Sequence, residues 1–265
     1  MPQPEFPHRL ETQMPPELQL AVGGLTVLGT SVGARATAFA LPDLGVALDL
    51  GRLTPILAAQ PVVLLSHGHL DHLAGVLAYL NVRARFHEGE PTAVFGPPEV
   101  MKPLRQALAV MPGMESVRKR MRLDDLLRDA DPAVEVKVRG GRARPFPVDH
   151  SVPTFGWTLW TGTGDRPALV YGADGSVDPF RAAPELLDAD VAMVECSCPE
   201  RNRRIAARLA KHAHVLDWVE LAPELTCDTL VLVHLPELAT DELEELVEPL
   251  SRAFRGRLVV WAPGD

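Results

Sequence analysis

The stretch Ser66-His67-Gly68-His69-Leu70-Asp71-His72 decides how the rest of this chain is interpreted. It follows the apolar run 61–65, which predicts a buried strand, and precedes apolar residues that recur at helical spacing over 73–80. The polar residues therefore lie where a strand ends and a helix begins, the position at which α/β sheets open a ligand crevice. Three imidazoles and a carboxylate within six residues are ligand types that bind transition metals at neutral pH. We therefore expect a metal site here, rather than a solvated turn rich in histidine.

Composition limits the classes of protein to which the chain can belong. Its 265 residues, 46% of them hydrophobic, favour a single folded domain over 1–265, with residues 1–17 as a loose lead-in. The net charge of −9 argues against a general nucleic-acid coat. No apolar run approaches the ~18 residues of a membrane span, so we expect no membrane association and no signal peptide. The three cysteines form no framework pattern, so reduced thiols in a cytoplasmic protein are expected.

Short apolar runs along the chain predict the elements around this stretch. From 18 to 50, runs separated by glycine turns predict a strand meander. Amphipathic helices are predicted over 99–111 and 241–254, and a basic helix over 201–211. Further strands are predicted over 92–95, 135–138, 142–148, 169–171, 191–194, 230–233 and 258–261.

Four of these predicted strands end in a polar residue: His150, Asp174, Glu195 or His234. If these strand ends share one rim with the histidine-rich stretch, they supply enough ligands for two metal ions. Each residue taken alone has an ordinary alternative as a strand-end or turn residue. Asp49 also follows an apolar strand, and we expect it either to cap the next turn or to orient a ligand histidine.

The HxHxDH order of the first stretch resembles the signature of the metallo-β-lactamase superfamily. The resemblance implies an α/β fold, the αβ/βα four-layer sandwich, that holds two divalent metal ions. It places His67, His69 and His150 on one ion and Asp71, His72 and His234 on the other, with Asp174 bridging them. Ligands of these types accept both zinc and manganese, and zinc is the first expectation.

A closer resemblance is to the ribonuclease Z family, through motifs that run from about Gly24 to the C-terminus. They include His150 before SVPTFGW, Asp174 in YGADGS, Glu195 in VECS, and His234 in LVLVHLPE. The resemblance implies a homodimer that hydrolyses a phosphodiester, an RNA 3′ end such as that of a tRNA precursor or a smaller molecule, by a metal-bridging hydroxide. It also implies Asp71, Glu195 and His212 as catalytic residues, the last two for proton transfer.

The charge of such a centre agrees with a phosphate substrate. Two divalent cations, two carboxylates and a hydroxide sum to about one positive charge, which favours an anionic phosphate over a neutral amide. His212 and His214 both follow the predicted basic helix, and either one could donate the proton or simply end the helix. The spacing of 22 residues to His234 favours His212.

Two departures from the ribonuclease Z pattern affect the substrate and leave the metal chemistry unchanged. Only 157–173 separate the GW turn from Asp174, which leaves no room for the arm that grips tRNA in that family. The tetrapeptide Leu235-Pro236-Glu237-Leu238 lacks the family's usual Ser/Arg character.

Three alternative functions therefore stay open. The motifs HLDH and ECS are also similar to those of class II cyclic-nucleotide phosphodiesterases, in which the proton donor would fall nearer His214. A lactonase or thioesterase on the same fold would not need Glu195 and His212. A protein that keeps the metal for structure and works by binding a partner would need no proton donor at all.

Overall fold

Two seven-stranded sheets form the centre of the protein in the computed structural model, which describes residues 17–200 and 202–262, except the side chains of 123 and 124. The predicted lead-in at 1–17 lies outside this range apart from Glu17. The first sheet contains, in order, β1 (Leu18–Val22), β2 (Leu25–Val32), β3 (Ala36–Leu41), β4 (Val46–Leu48), β5 (Val62–Leu64), β6 (Ala93–Gly96) and β7 (Leu127–Asp129). The second contains β8 (Val136–Val138), β9 (Gly141–Val148), β10 (Thr154–Thr161), β11 (Leu169–Tyr171), β12 (Val191–Glu195), β13 (Thr229–Val233) and β14 (Arg257–Val260).

Each sheet begins as an antiparallel meander and continues as parallel strands. The predicted meander is present as β1 to β4, and β4 then pairs in parallel with β5, β6 and β7. Gly23 and Gly24, both at positive φ, form the two-residue turn from β1 to β2. In the second sheet β8 to β11 are antiparallel, and β11 to β14 are parallel.

Ten α-helices are present in the described part of the chain, and they cover the outer faces of the sheets. Those on the first sheet are α1 (Pro55–Ala58), α2 (Leu70–Leu73), α3 (Val76–Phe86), α4 (Pro98–Val110), α5 (Glu115–Arg120) and α6 (Leu123–Leu126). Those on the second are α7 (Asp178–Ala182), α8 (Arg204–Leu209), α9 (Val215–Leu221) and α10 (Thr240–Ala253).

Three apolar clusters correspond to the three interfaces between these layers. The central cluster lies between the sheets and contains Phe39, Trp157 and Tyr171. The Trp157 indole donates a hydrogen bond of 3.1 Å to the carbonyl of Leu65, which ties the second sheet to the strand that leads into the histidine-rich stretch. Helices and sheets therefore stack in the order α, β, β, α, as the sequence predicted.

The structure shortens one of the predicted helices and divides another, for identifiable reasons. The basic helix predicted over 201–211 is α8, which ends because Lys211 adopts the left-handed conformation at φ 57°. The helix after the histidine-rich stretch divides into α2 and α3 around Gly75. A Cβ at Gly75 would lie 2.8 Å from the carbonyl carbon of Arg52, so this close approach requires glycine.

Candidate metal centre

The carboxyl ends of strands from both sheets meet at one rim, because neighbouring parallel strands end at the same edge. β5 leads into Ser66 and His67, and both side chains are buried. His69 precedes the first turn of α2, and Asp71 and His72 lie within that turn. His150 follows β9.

The second sheet supplies the remaining residues. Asp174 follows β11, Glu195 ends β12, and His234 follows β13. All three are buried, and His234 is held at φ 56°. A non-glycine residue at positive φ is uncommon and is typical of functional sites.

The seven residues predicted as metal ligands form two groups at this rim. Within each group one ligand atom per residue lies within 4.8 Å of the others. The first group contains His67, His69, His150 and Asp174, and the second contains Asp71, His72 and His234.

Asp174 lies between the two groups. Its Oδ2 is 3.3 Å from Nε2 of His72 and 3.2 Å from Nε2 of His234, both in the second group. The same oxygen is 3.9 Å from Nε2 of His67 in the first group. One carboxylate oxygen thus faces the imidazoles of both groups, as expected of a bridging position.

Other side chains contact Nδ1, the ring nitrogen directed away from the centre, in three of these histidines. Nδ1 of His72 lies 2.8 Å from Asp49 Oδ2, and Nδ1 of His67 lies 2.9 Å from Ser66 Oγ. Nδ1 of His234 lies 3.1 Å from Thr37 Oγ1. Such contacts leave the other ring nitrogen of each histidine, Nε2, directed at the centre.

Two more contacts fix the backbone or the ring at the rim. Nδ1 of His150 donates to the carbonyl oxygen of Lys211 at 3.2 Å. The Oγ of Ser31 accepts from the backbone N–H of His234 at 2.8 Å. The sequence did not single out Ser31, Thr37 or Ser66 for these contacts, because a hydroxyl near a strand end has no distinguishing pattern.

Asp49 is the hub of these contacts. Besides His72 it accepts from the backbone N–H and hydroxyl of Ser66, at 2.7 and 2.9 Å, and from the hydroxyl of Tyr171 at 2.7 Å. It is fully buried and held at φ 55°. Of the two predicted roles for Asp49, orientation of a histidine is the one that these contacts support.

Burial and neighbouring charges set the protonation of the centre. Burial lowers the pKa of His67 to about 2, so its imidazole is neutral and has a lone pair free for a metal. Burial would also lower the pKa of His72, but Asp174 and Asp49 raise it well above its usual value. Burial would raise the pKa of Asp174, whereas His234 and His72 hold it well below its usual range.

Glu195 and His212 form a pair beside the two groups. Oε1 of Glu195 lies 2.8 Å from Nδ1 of His212 and accepts from the backbone N–H of Gly175, also at 2.8 Å. Its Oε2 accepts from the backbone N–H of Ser197 at 2.9 Å. Burial would lower the pKa of His212, but the hydrogen bond and charge of Glu195 raise it.

Only one of the two histidines after α8 belongs to this rim. The ring centroid of His212 lies 4.9 Å from that of His150. His214 is fully buried instead, where its Nε2 donates to the carbonyl of Glu200 and its Nδ1 accepts from Leu216 N at the start of α9. From the sequence, either His212 or His214 could be the proton donor. The structure places only His212 beside Glu195.

Comparison with known proteins identifies the family. A sequence model described as the β-lactamase superfamily domain matches residues 40–235, which contain every residue of the two groups. The chain belongs to the β-lactamase superfamily.

Curated relatives in this superfamily are ribonuclease Z proteins. The chain is 28% identical over 144 residues to the nuclear ribonuclease Z of Triticum aestivum, an alignment that covers 54% of this chain and 79% of the relative. It is 26% identical over 270 residues to the chloroplastic tRNase Z TRZ2 of Arabidopsis thaliana, which covers 89% and 75%. The resemblance to ribonuclease Z that the motifs predicted is thereby confirmed.

A solved structure shows the same fold. The metallo-β-lactamase fold protein YhfI from Bacillus subtilis superimposes with a TM-score of 0.68 at 19% identity, covering 91% of this chain and 97% of that one. The predicted fold class is therefore correct. Together with the curated relatives, the superfamily membership identifies the chain as a metal-dependent hydrolase.

The residues at the rim fit the divalent ions that the superfamily fold implies. His72 Nε2 and Asp174 Oδ1 are buried and accept or donate no hydrogen bond within the described chain. Buried polar atoms without a partner are rare and unfavourable. Imidazole nitrogens and carboxylate oxygens are the donors that divalent transition metals prefer, and a cation would satisfy both atoms.

A groove of about 650 Å³ opens on the same rim. It is lined on one side by residues that flank His150 in the chain, and on the other by 97–99 and 129–132. Its charged lining residues in the described chain are Glu99, Asp129 and Asp131, all carboxylates. Asp129 is paired with Arg105, and none of the residues that line this groove is a proposed ligand.

No helix among the described residues has the length and apolar character needed to cross a bilayer.

Proposed function

We propose that the chain is a binuclear metal-dependent phosphodiesterase of ribonuclease Z-like type. The position of Asp174 carries the proposal, because its Oδ2 lies within 3.9 Å of imidazoles from both ligand groups. A carboxylate so placed serves two ions at once. Two-metal sites are typical of phosphodiester hydrolysis, in which the attacking and leaving oxygens both need charge stabilisation.

The proposed ligands divide as the two groups do. His67, His69 and His150 would hold one ion, and Asp71, His72 and His234 the other, with Asp174 shared. Divalent ions held there would activate water as the nucleophile and would stabilise negative charge on the phosphate. Zinc is proposed over manganese because five of the seven ligands are imidazoles.

His212 and Glu195 supply the proton that the leaving oxygen needs. Glu195 is fixed by two backbone N–H donors and in turn holds Nδ1 of His212. The hydrogen bond and charge of Glu195 raise the pKa of His212, which favours the protonated imidazole that a general acid needs. A residue that carries a proton to an alkoxide suits a phosphodiester and is unnecessary for a thioester, whose thiolate leaves without protonation.

The position of His214 bears on the cyclic-nucleotide alternative. In a cyclic-nucleotide phosphodiesterase the proton donor would fall nearer His214. Both ring nitrogens of His214 are already hydrogen-bonded, to the carbonyl of Glu200 and to the backbone N–H of Leu216. His212 is the histidine beside Glu195. These contacts favour the ribonuclease Z-like arrangement.

The substrate that we propose is an RNA 3′ end or a smaller phosphodiester. The names of the relatives point to RNA. In this chain β10 and β11 pair as a hairpin with only 162–168 between them, so the described chain has no arm at this position for a folded tRNA.

Assembly and location remain proposals of the same kind. We propose a homodimer, to be tested by light scattering on the eluted protein. A cytoplasmic location agrees with the three unpaired thiols Cys196, Cys198 and Cys227.

Hydrolysis of bis(p-nitrophenyl) phosphate by zinc- or manganese-loaded protein tests the proposed function. We expect turnover by the wild type and a loss of at least about 100-fold in Asp71→Ala, beyond the 10- to 100-fold typical of groups that only orient a ligand. Asp188→Ala, at an exposed aspartate paired with Arg166, is the control and should match the wild type. Equal rates in wild type and Asp71→Ala, or no turnover with either metal, would exclude a phosphodiesterase.

A further inference from the structure

The end of α8 determines where His212 lies. The N–H of Lys211 donates to the carbonyl of Arg208 at 3.1 Å, and the N–H of His212 donates to the carbonyl of Ala207 at 2.8 Å. With Lys211 at φ 57°, these two bonds form a Schellman motif, the common C-terminal cap of a helix. His212 therefore moves with α8.

Apolar packing fixes α8 only weakly. The helix has six residues, too few for independent stability, and its one buried residue is Ala207. Its apolar side chains Ile205 and Leu209 are 75% and 82% exposed. Another interaction must hold this helix in place.

Asp217 of the neighbouring helix α9 supplies most of that interaction, and Glu220 of the same helix accepts from Arg204 as well. Its side chain is only 2% exposed. Its Oδ1 accepts from Nε and Nη2 of Arg204, at 3.0 and 2.7 Å, and from Nη2 of Arg208 at 2.7 Å. Both arginines belong to α8, and charge-assisted bonds of this kind are the strong ones.

The helix α9 is also attached to Glu195. Trp218 follows Asp217, is buried, and donates from its indole to the backbone carbonyl of Glu195 at 2.8 Å. The same helix thus holds Glu195 through Trp218 and α8 through Asp217. The end of β12 and the helix α8, which follows it in the chain, are therefore both supported by α9.

We propose that Asp217 is a positioning residue that, through Arg204 and Arg208, holds His212 against Glu195. The proposal rests on the proposed role of His212 as proton donor. Without the carboxylate, α8 keeps only the ion pair of Arg204 with Glu220 to α9, so the imidazole of His212 is held less firmly at its distance from the leaving oxygen. None of the proposed metal ligands lies on α8 or α9, but the carbonyl of Lys211 at the end of α8 accepts from Nδ1 of His150. The metal content of each variant is therefore measured alongside its activity.

The test compares two substrates that differ in their need for a proton. The p-nitrophenolate released from bis(p-nitrophenyl) phosphate leaves readily without protonation, whereas the phenolate of diphenyl phosphate is more basic and benefits from a general acid. For Asp217→Asn we expect kcat on diphenyl phosphate to fall by about 10-fold or more, within the range of general acid catalysis, with KM little changed. On bis(p-nitrophenyl) phosphate the fall should stay below about threefold.

A double-mutant cycle then shows whether the effect passes through His212. In the background of His212→Ala, Asp217→Asn should cause no further loss on diphenyl phosphate. Hydrogen exchange of metal-free protein gives a reading besides activity: segment 204–212 should exchange faster in Asp217→Asn. The control Asp228→Asn removes a carboxylate from another arginine, Arg166, at the far end of β13, and should change neither reading.

Several outcomes would overturn the inference. Equal losses on the two substrates, additive losses with His212→Ala, or unchanged exchange of 204–212 would each do so. If Asp217→Asn fails to fold, Arg208→Ala at a half-exposed residue should give the same selectivity for diphenyl phosphate. Failure of the wild type to hydrolyse bis(p-nitrophenyl) phosphate would reject the proposed function itself, a result separate from these patterns.

Discussion

Asp49 accepts hydrogen bonds from Ser66, His72 and Tyr171 in the interior of the protein, between the two sheets. Its carboxylate binds groups from both halves of the chain, since Tyr171 belongs to the second sheet. By holding Nδ1 of His72 it leaves Nε2, which has no hydrogen-bond partner in the described chain, facing the centre. At the residue scale the centre is thus arranged by a side chain outside the ligand groups.

Asp49→Asn should weaken metal binding by about 10- to 100-fold, as is typical when a group that orients a ligand is changed. The amide nitrogen of Asn would face donors instead of accepting from them, which should also lower the free energy of unfolding by about 1–3 kcal/mol. Chelator competition and urea denaturation measure the two effects. Asp43→Asn, at an exposed residue that accepts from Thr26 N, is the control. Metal affinity in Asp49→Asn equal to that of Asp43→Asn would contradict this role.

The loop after β4 supports the helix α2 through backbone contacts. Leu50 N donates to the carbonyl of His72 at 2.7 Å, and Gly75 N donates to the carbonyl of Leu50 at 2.7 Å. Gly51 fits closely here, since a Cβ at this position would lie 1.8 Å from the backbone oxygen of Asp71. At the scale of elements, α2 carries two proposed ligands and is placed by a loop that carries none.

Gly51→Ala should therefore displace α2. Overpacking of this kind costs about 1–3 kcal/mol, and the shift should weaken metal binding by the group of Asp71, His72 and His234. Gly164→Ala is the matched control, because its nearest contact would be Thr161 O at 3.7 Å. Thermal unfolding and metal titration of the two variants check the prediction, which fails if Gly51→Ala retains both the stability and the metal content of Gly164→Ala.

The whole molecule brings together ligands that lie far apart in sequence, and the sequence predicted much of this. The alternation of apolar runs with polar strand ends predicted the strands and the candidates for one rim. The four-layer order was implied by the resemblance to the metallo-β-lactamase superfamily. The contacts of Thr37 with His234, of Ser66 with His67 and of Asp217 with α8 could not be predicted. They depend on where side chains meet across the fold, and no local pattern records such a meeting.

The number of metal ions bound per chain tests the central claim most directly, since Asp174 from the second sheet is proposed to serve both groups. Equilibrium titration of chelator-treated protein, followed by elemental analysis, should give two divalent ions per wild-type chain. Asp174→Ala should weaken the binding of both ions, whereas Asp188→Ala, on the same half of the protein and away from the rim, should still bind two. A wild type that binds only one ion, or an Asp174→Ala variant that binds two with unchanged affinity, would contradict the account.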